Sequence, residues 1–347
     1  MTRKNIWLST GALMALLAWS GATLAADKVY VANEGADTVS VLDAASFKTL
    51  ASLRVGKMPH NVQVSPDGQF AWVTNNGEPG QMPDASVHKG MVQGAHEAMA
   101  QPGAVWVIDT STNTVVAKVP VGMHPAHVVV SPDGRLAYVT NGGDNTVSVI
   151  DTSASSLVAT IPVGQFPHGL RISPDGKEVY VANLKGGTVS VIDTASQKEM
   201  AQVPAGKGPA QTGFTPDGRW AFVSLSQENA VAVIDPATRK VIRKVAVGAV
   251  PIQLYATLDS RTLLVANQGT RQKPGNTVSL IDLKSFRVAK TVVTAAGAHG
   301  VVVDREGRLA YVTNTYANSV SVIDMKDRRV TKTVPVGKAP NGISITP

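Results

Sequence analysis

The chain contains no cysteine. That excludes disulfides, thiolate metal sites and a lipid-modified N-terminal cysteine, so packing and hydrogen bonds alone hold the fold, and a soft metal would have to be bound through histidine and methionine. Aromatic residues are 5% and charged residues 16% of the 347 residues, which excludes the profile of a disordered chain or of a highly basic nucleic-acid binder. The formal net charge of +7 falls to +5 without Arg3 and Lys4, and that excess is spread along the chain. No G-x-S-x-G elbow, phosphate-binding loop or dinucleotide fingerprint is present. After the first residues no stretch is long and apolar enough to span a bilayer.

The N-terminus has a distinct order. Arg3 and Lys4 precede an apolar run over residues 6–19, and small residues lead to Ala25 and Ala26. A short basic region, a short apolar core and a small-residue end predict a secretory signal peptide over 1–26, and hence a periplasmic or secreted mature protein over 27–347.

What the chain has in abundance is repetition. "VYVANEGADTVSVLD" at 29–43 recurs as "AYVTNGGDNTVSVID" at 137–151, "VYVANLKGGTVSVID" at 179–193 and "AYVTNTYANSVSVID" at 310–324, with weaker copies ending at Asp235 and Asp282. The aligned aspartates Asp43, Asp109, Asp151, Asp193, Asp235, Asp282 and Asp324 are spaced 66, 42, 42, 42, 47 and 42 residues apart. The unit is therefore 42 residues, present seven times, with 24 extra residues in the second copy and five in the sixth.

Each copy predicts four short strands. In residues 126–163 "AHVVVS" suits a strand buried on both faces, and "PDG" turns the chain, with Pro132 fixing φ and Gly134 accepting a positive φ. "RLAYVTN" is rich in β-branched and aromatic residues, "TVSVID" alternates, and "LVATIPV" completes the set. Four antiparallel strands per 40–45 residues predict an all-β, seven-bladed propeller. The mature chain starts on a second strand, "DKVYVAN", and ends on a first strand, "NGISITP". The C-terminal strand is thus expected to complete blade one and remove its open edge.

The "YVTN"-type second strand, "NTVSVID", "VPVG..P" and "SPDG" resemble the YVTN-repeat, YncE-like propellers, over the whole mature chain. The resemblance implies the fold and leaves the chemistry open, because propellers of this kind bind varied ligands. By architecture the chain is also similar to the haem-binding propeller of cytochrome cd1 and the copper-bearing propeller of nitrous-oxide reductase, without a complete motif from either.

Strand order places the histidines. If strands run from the channel outward, the loops between second and third strands and those between blades share one face of the ring. All seven histidines fall there. His60, His168 and His299 hold one repeat position at the start of the innermost strands of blades two, four and seven, where Asn341 closes blade one. His127 comes one residue later in blade three, as Asn61 does in blade two, and His124 lies in the preceding loop. His60, Asn61, His127, His168, His299 and Asn341 are the expected ligand-binding residues. His60, His127, His168 and His299, supplemented by His124, His88 and His96, are the expected metal ligands, with copper first among transition metals.

His88 and His96 belong to the second copy's insertion, 77–103, which also holds Met82, Met91 and Met99. His88, Met91, Val92, Ala95 and Met99 share one helical face, Asp84 can cap it and Pro102-Gly103 can end it, so this segment is a candidate lid or ligand donor at the channel mouth. His96-Glu97 lacks the second histidine of a zinc-protease helix. Lys and Arg near the outermost strands, such as Lys118, Arg239, Lys244 and Arg329, suit protected sheet edges, with a phosphate-binding rim for nucleic acid or another anionic polymer as the alternative. A protein partner docked on the histidine face is the other alternative. The repeated Asp and Asn residues are expected to be turn residues, and Trp72, Trp106 and Trp220 core.

Overall fold

Each 42-residue unit folds into one four-stranded antiparallel sheet, and seven such sheets stand around a central channel. The computed structural model describes residues 27–77 and 102–347. The expected signal peptide and most of the blade-two insertion, with His88, His96 and the expected helix, lie outside the described residues. The innermost strands are Pro340–Ile345 of blade one, then Pro59–Val64, Pro125–Val130, Pro167–Ile172, Pro209–Phe214, Pro251–Ala256 and Ala298–Val303 of blades two to seven. Among the described residues the only helical element is a three-residue 3-10 turn, Glu34–Ala36.

The C-terminal strand closes the ring as expected. Pro340–Ile345 pairs with Lys28–Asn33, setting Ile345 opposite Val29 and Ile343 opposite Val31. The Lys28 backbone N–H donates to Thr346 Oγ1 at 2.8 Å, and the Thr346 N–H returns to the Lys28 carbonyl at 3.0 Å.

Among the described residues, seven apolar clusters form a ring, each between two neighbouring blades, and a smaller one, Leu184, Ala210 and Ile252, joins blades four to six. Tyr180, Ala182, Val189 and Val191 of blade four meet Ala221, Val223 and Leu225 of blade five in one of them. Both faces of a blade are covered, which is why second and third strands are buried almost throughout. The serines of "TVSVID" are satisfied locally: Asn183 Nδ2 donates to Ser190 Oγ at 2.8 Å and Thr188 Oγ1 at 2.9 Å. Gly164 lies on that same Asn183; a Cβ there would come 2.4 Å from Nδ2, so the glycine of this "VG" is a close-approach glycine. Trp72 is core, but Trp106 and Trp220 are only half-buried, with Lys118 Nζ 3.9 Å above one ring and the Arg219 guanidinium 5.2 Å above the other. A ring's polar edge and large size suit such a boundary position better than full burial.

The repeated aspartates are turn residues. Asp193 Oδ1 accepts from the Ser196 N–H at 2.7 Å and from its hydroxyl at 2.6 Å. Such hydrogen bonds, the serine hydroxyl first, hold the carboxyls of Asp43, Asp109, Asp151, Asp193 and Asp282 below the usual carboxylate range. A folded pKa below the unfolded value near about 3.9 gives stability that is present above that pH and is lost as pH falls through the folded values. The thermal midpoint is therefore expected to hold down to about pH 5 and to fall below about pH 4. In an Asp151→Asn/Asp193→Asn double variant the acid slope should be shallower; equal slopes would remove these turns as its source.

Candidate functional site

Two local devices aim side chains into the channel mouth. The residue before each innermost strand adopts a left-handed conformation, with φ of 50° at Met58, 56° at His124, 55° at Phe166 and 50° at Ala339. Side chains of the preceding blade hold it there: Asp37 Oδ1 accepts from the Met58 N–H at 3.0 Å, and Asn145 Oδ1 from that of Phe166 at 2.8 Å. Then the sheet ladder breaks after the strand's first residue. In blade three the His127 N–H leaves the ladder and donates to Thr140 Oγ1 at 3.0 Å; the Thr140 hydroxyl donates to the His168 carbonyl of blade four at 2.6 Å. Thr74 bridges Asn61 to Ala126 in the same way, at 3.0 and 2.8 Å. The threonine of "YVTN" thus links consecutive blades where the histidines emerge.

Three histidines from three successive blades converge. His60, His127 and His168 are all buried, and one ring nitrogen from each lies within 4.8 Å of the others. His60 Nε2 and His168 Nε2 are 3.3 Å apart, and the His127 and His168 ring centroids 5.0 Å. His168 Nδ1 donates to the Ala210 carbonyl at 2.9 Å, which leaves its Nε2 as the lone-pair nitrogen. His60 Nε2–H then donates to it. On the other side of the His60 ring, Asn341 Nδ2 approaches Nδ1 at 3.4 Å and Glu34 Oε1 at 3.7 Å, while Asn341 also donates to the Glu34 carboxylate. His127 is fully buried, and neither of its ring nitrogens has a hydrogen-bond partner among the described residues. Burial first, then the neighbouring His168 and His60, push its pKa well below the ordinary value, so its imidazole is neutral and both nitrogens are not simultaneously protonated.

The remaining sequence candidates fall around this trio. His299 of blade seven sets its ring perpendicular to His60 with centroids 6.2 Å apart. Asn61 braces the wall, its Oδ1 accepting from the Val128 N–H at 3.4 Å. His124 stays in its loop against Phe166, with ring centroids 6.3 Å apart, and is outside the trio. Sequence reasoning missed Glu34, whose place in the short turn of blade one is set by bonds from its N–H and that of Gly35 to the Ala339 and Lys338 carbonyls, each at 3.0 Å. Its acidic character at a loop position where the other blades carry the uncharged Asn76, Gly142, Leu184, Ser226, Gln268 and Thr315 was the available signal.

A profile of the YncE-like beta-propeller family matches residues 269–346, and the seven blades and their closing strand supply the rest of that architecture. The chain is a YncE-like seven-bladed β-propeller. This YncE-like propeller is also related to the cytochrome D1 heme domain, whose profile matches residues 98–213, the segment with His124, His127 and His168. Antigen Lp49 of Leptospira interrogans is 30% identical over 121 residues, which are 35% of this chain and 24% of that protein. The chain thus matches about a quarter of the length of that curated relative. Among solved structures, the hydrazine synthase of Kuenenia stuttgartiensis superposes with a TM-score of 0.68 at 23% identity, over 82% of this chain and 89% of that one. The periplasmic gluconolactonase PpgL of Pseudomonas aeruginosa gives 0.71 at 18%, over 92% and 99%. Dihydro-heme d1 dehydrogenase NirN, in complex with DHE, gives 0.65 at 18%, over 91% and 74%. At these identities the structural likeness shows the fold alone. The family relations support a scaffold or ligand-binding role for the YncE-like propeller, and no helix among its described residues is long and apolar enough to cross a membrane.

Proposed function

We propose that this YncE-like propeller is an exported protein that binds one transition-metal ion at the channel mouth through His60, His127 and His168, with His299 beside them. The observation that carries this is the convergence of three buried imidazoles, one of them without a hydrogen bond to lose. A tetrahedral ion with bonds of about 2.0–2.1 Å spaces its ligand nitrogens about 3.3–3.4 Å apart. The His60 and His168 nitrogens stand at 3.3 Å already. His168 is preset for this role by its bond to Ala210, and Glu34 is placed to accept from His60 Nδ1–H once Nε2 turns to the ion. Three protein ligands leave the remaining coordination position open toward the channel. An all-imidazole set suits copper, zinc and nickel, and the general affinity order puts copper first. Export rests on residues 1–26.

Metal analysis of protein purified without a histidine tag is the test. One equivalent of copper or zinc per chain, retained through dialysis, is expected; purified and metal-challenged protein that retains none would reject the site. A second reading follows from the cytochrome D1 heme domain match over 98–213: an iron macrocycle held by one of the same histidines. Iron accompanied by porphyrin-like visible absorbance would select it over the lone ion.

A further inference from the structure

Below the histidine trio the channel wall changes character. Three residues after His168, up to about 10 Å deeper along the same strand, comes Arg171. Its guanidinium is enclosed by the surrounding strands yet keeps partial solvent contact, as a side chain lining a wet channel would. Its hydrogen bond goes to the neighbouring Leu170 carbonyl at 3.1 Å, and among the described residues no carboxylate pairs with it. An enclosed cation with no counter-charge is costly.

Its neighbours add donors and no charge. Gln211 of blade five is fully buried with neither amide atom hydrogen-bonded, and Gln253 of blade six is 2% exposed with its amide nitrogen unpartnered. Both hold the strand position that His127 holds in blade three. Gln211 reaches across to blade four: a Cβ on Gly169 would sit 1.7 Å from Gln211 Oε1, so that glycine makes room for the amide two residues from Arg171. Tyr255 of blade six holds the strand position of Arg171, and between them blade five has Gly213, with no side chain. The electrostatic partner of Arg171 is Tyr255, and burial opposes the charge on both, pushing the arginine pKa down and the tyrosine pKa up. Each orphaned buried polar group weighs against the folded state. The carboxylate nearest the mouth, Glu34, stands on blade one and is engaged by His60 and Asn341.

We propose that this wall, formed by blades four to six, binds a small oxyanion, a carboxylate or a phosphate, on the Arg171 guanidinium, with the Gln211 and Gln253 amides and the Tyr255 hydroxyl as further donors. A planar O–X–O group matches the guanidinium fork and supplies acceptors to several donors at once, which a single water does not. The site deepens the metal reading, since an anion there lies on the open side of the ion, but it is built from other residues.

The test is calorimetric titration of the metal-stripped, desalted mature protein with oxalate and, separately, with inorganic phosphate at low chloride. One-to-one binding of one of them is expected, and which one identifies the class. Arg171→Gln should weaken it at least about tenfold, the scale of a lost charged hydrogen bond, and Gln253→Leu several-fold. Lys290→Gln, an exposed outer-strand control, should leave it unchanged. Anion-dependent thermal stabilisation should vanish in parallel. If Arg171→Gln fails to fold, Arg171→Lys and Gln253→Leu give the same reading. Binding by neither anion, or equal affinity in wild type, Gln253→Leu and the Arg171 variants, overturns the proposal. Metal bound without anion leaves the metal reading standing and removes this one; anion bound without metal does the reverse.

Discussion

Deletion of residues 339–347 is expected to yield a chain that aggregates or melts tens of degrees below the undeleted chain. The strand Pro340–Ile345 completes blade one and buries Ile343 in the cluster between blades seven and one. It also ties both neighbours: Thr313 of blade seven donates to the Asn341 carbonyl at 2.8 Å, and the Val64 N–H of blade two donates to Ser344 Oγ at 3.0 Å. Without it, Lys28–Asn33 becomes an open edge of buried, β-branched sequence, the kind that pairs with other chains. Loss of Ile343 alone is worth about 2–5 kcal/mol as an alanine substitution, so Ile343→Ala should show a smaller drop in the same direction. Size-exclusion chromatography and thermal unfolding are the readouts. A monomeric deletion variant with an unchanged midpoint would mean that ring closure contributes nothing to stability.

That closure was legible in the sequence because repeat phase is preserved through covalent order: a chain that begins on a second strand and ends on a first has one way to complete its blades. The convergence of His60, His127 and His168 was legible for a related reason. Residues at one repeat position, such as His60 and His168, must return to one radius of the ring whatever their distance in sequence, and His127, one residue further along its own innermost strand, stays at the same mouth. The pairing of Asn61 with the Val128 N–H was not legible, because it depends on the break in the ladder after Pro59, and the alternation of a regular strand cannot show which way a side chain turns past such a break. Arg171, Gln211 and Gln253 were missed for a different reason. Each sits among residues that fit the strand pattern, and the repeat draws the eye to what is copied. Reading the innermost strands column by column exposes them: the column of Arg171 holds Gln63, Val129, Gly213, Tyr255, Val302 and Ser344, so the one cation stands alone in it. Trp106 and Trp220 show the same limit at the outer edge. Strand pattern gave their element, but half-burial beneath Lys118 and Arg219 depends on the radius at which each blade meets solvent.

His127→Leu is expected to abolish metal binding and, in the metal-free protein, to raise the thermal midpoint. The two effects have one origin. In the folded chain the His127 ring is fully buried and neither nitrogen is hydrogen-bonded among the described residues, a desolvation cost of about 1–3 kcal/mol for an orphaned polar group. Leucine fills a similar volume without that cost, so a residue present only for packing would be improved by the change. A residue present for a metal would lose a direct ligand. Affinity should fall by more than about 100-fold in His127→Leu and His168→Ala, since even groups that only orient a ligand are worth about 10–100-fold. Glu34→Gln, which would act on a bound metal solely through His60, belongs in that lower range. His124→Ala should leave affinity unchanged, because His124 packs on Phe166 outside the trio. Competition with a chromophoric chelator gives the affinities, and differential scanning fluorimetry with and without metal gives the midpoints. If His127→Leu lowers the metal-free midpoint while binding persists, His127 is a structural group and the ion, if any, is held elsewhere. If the midpoint rises and binding is lost, stability has been given up at this position in the native chain for a ligand atom facing the channel.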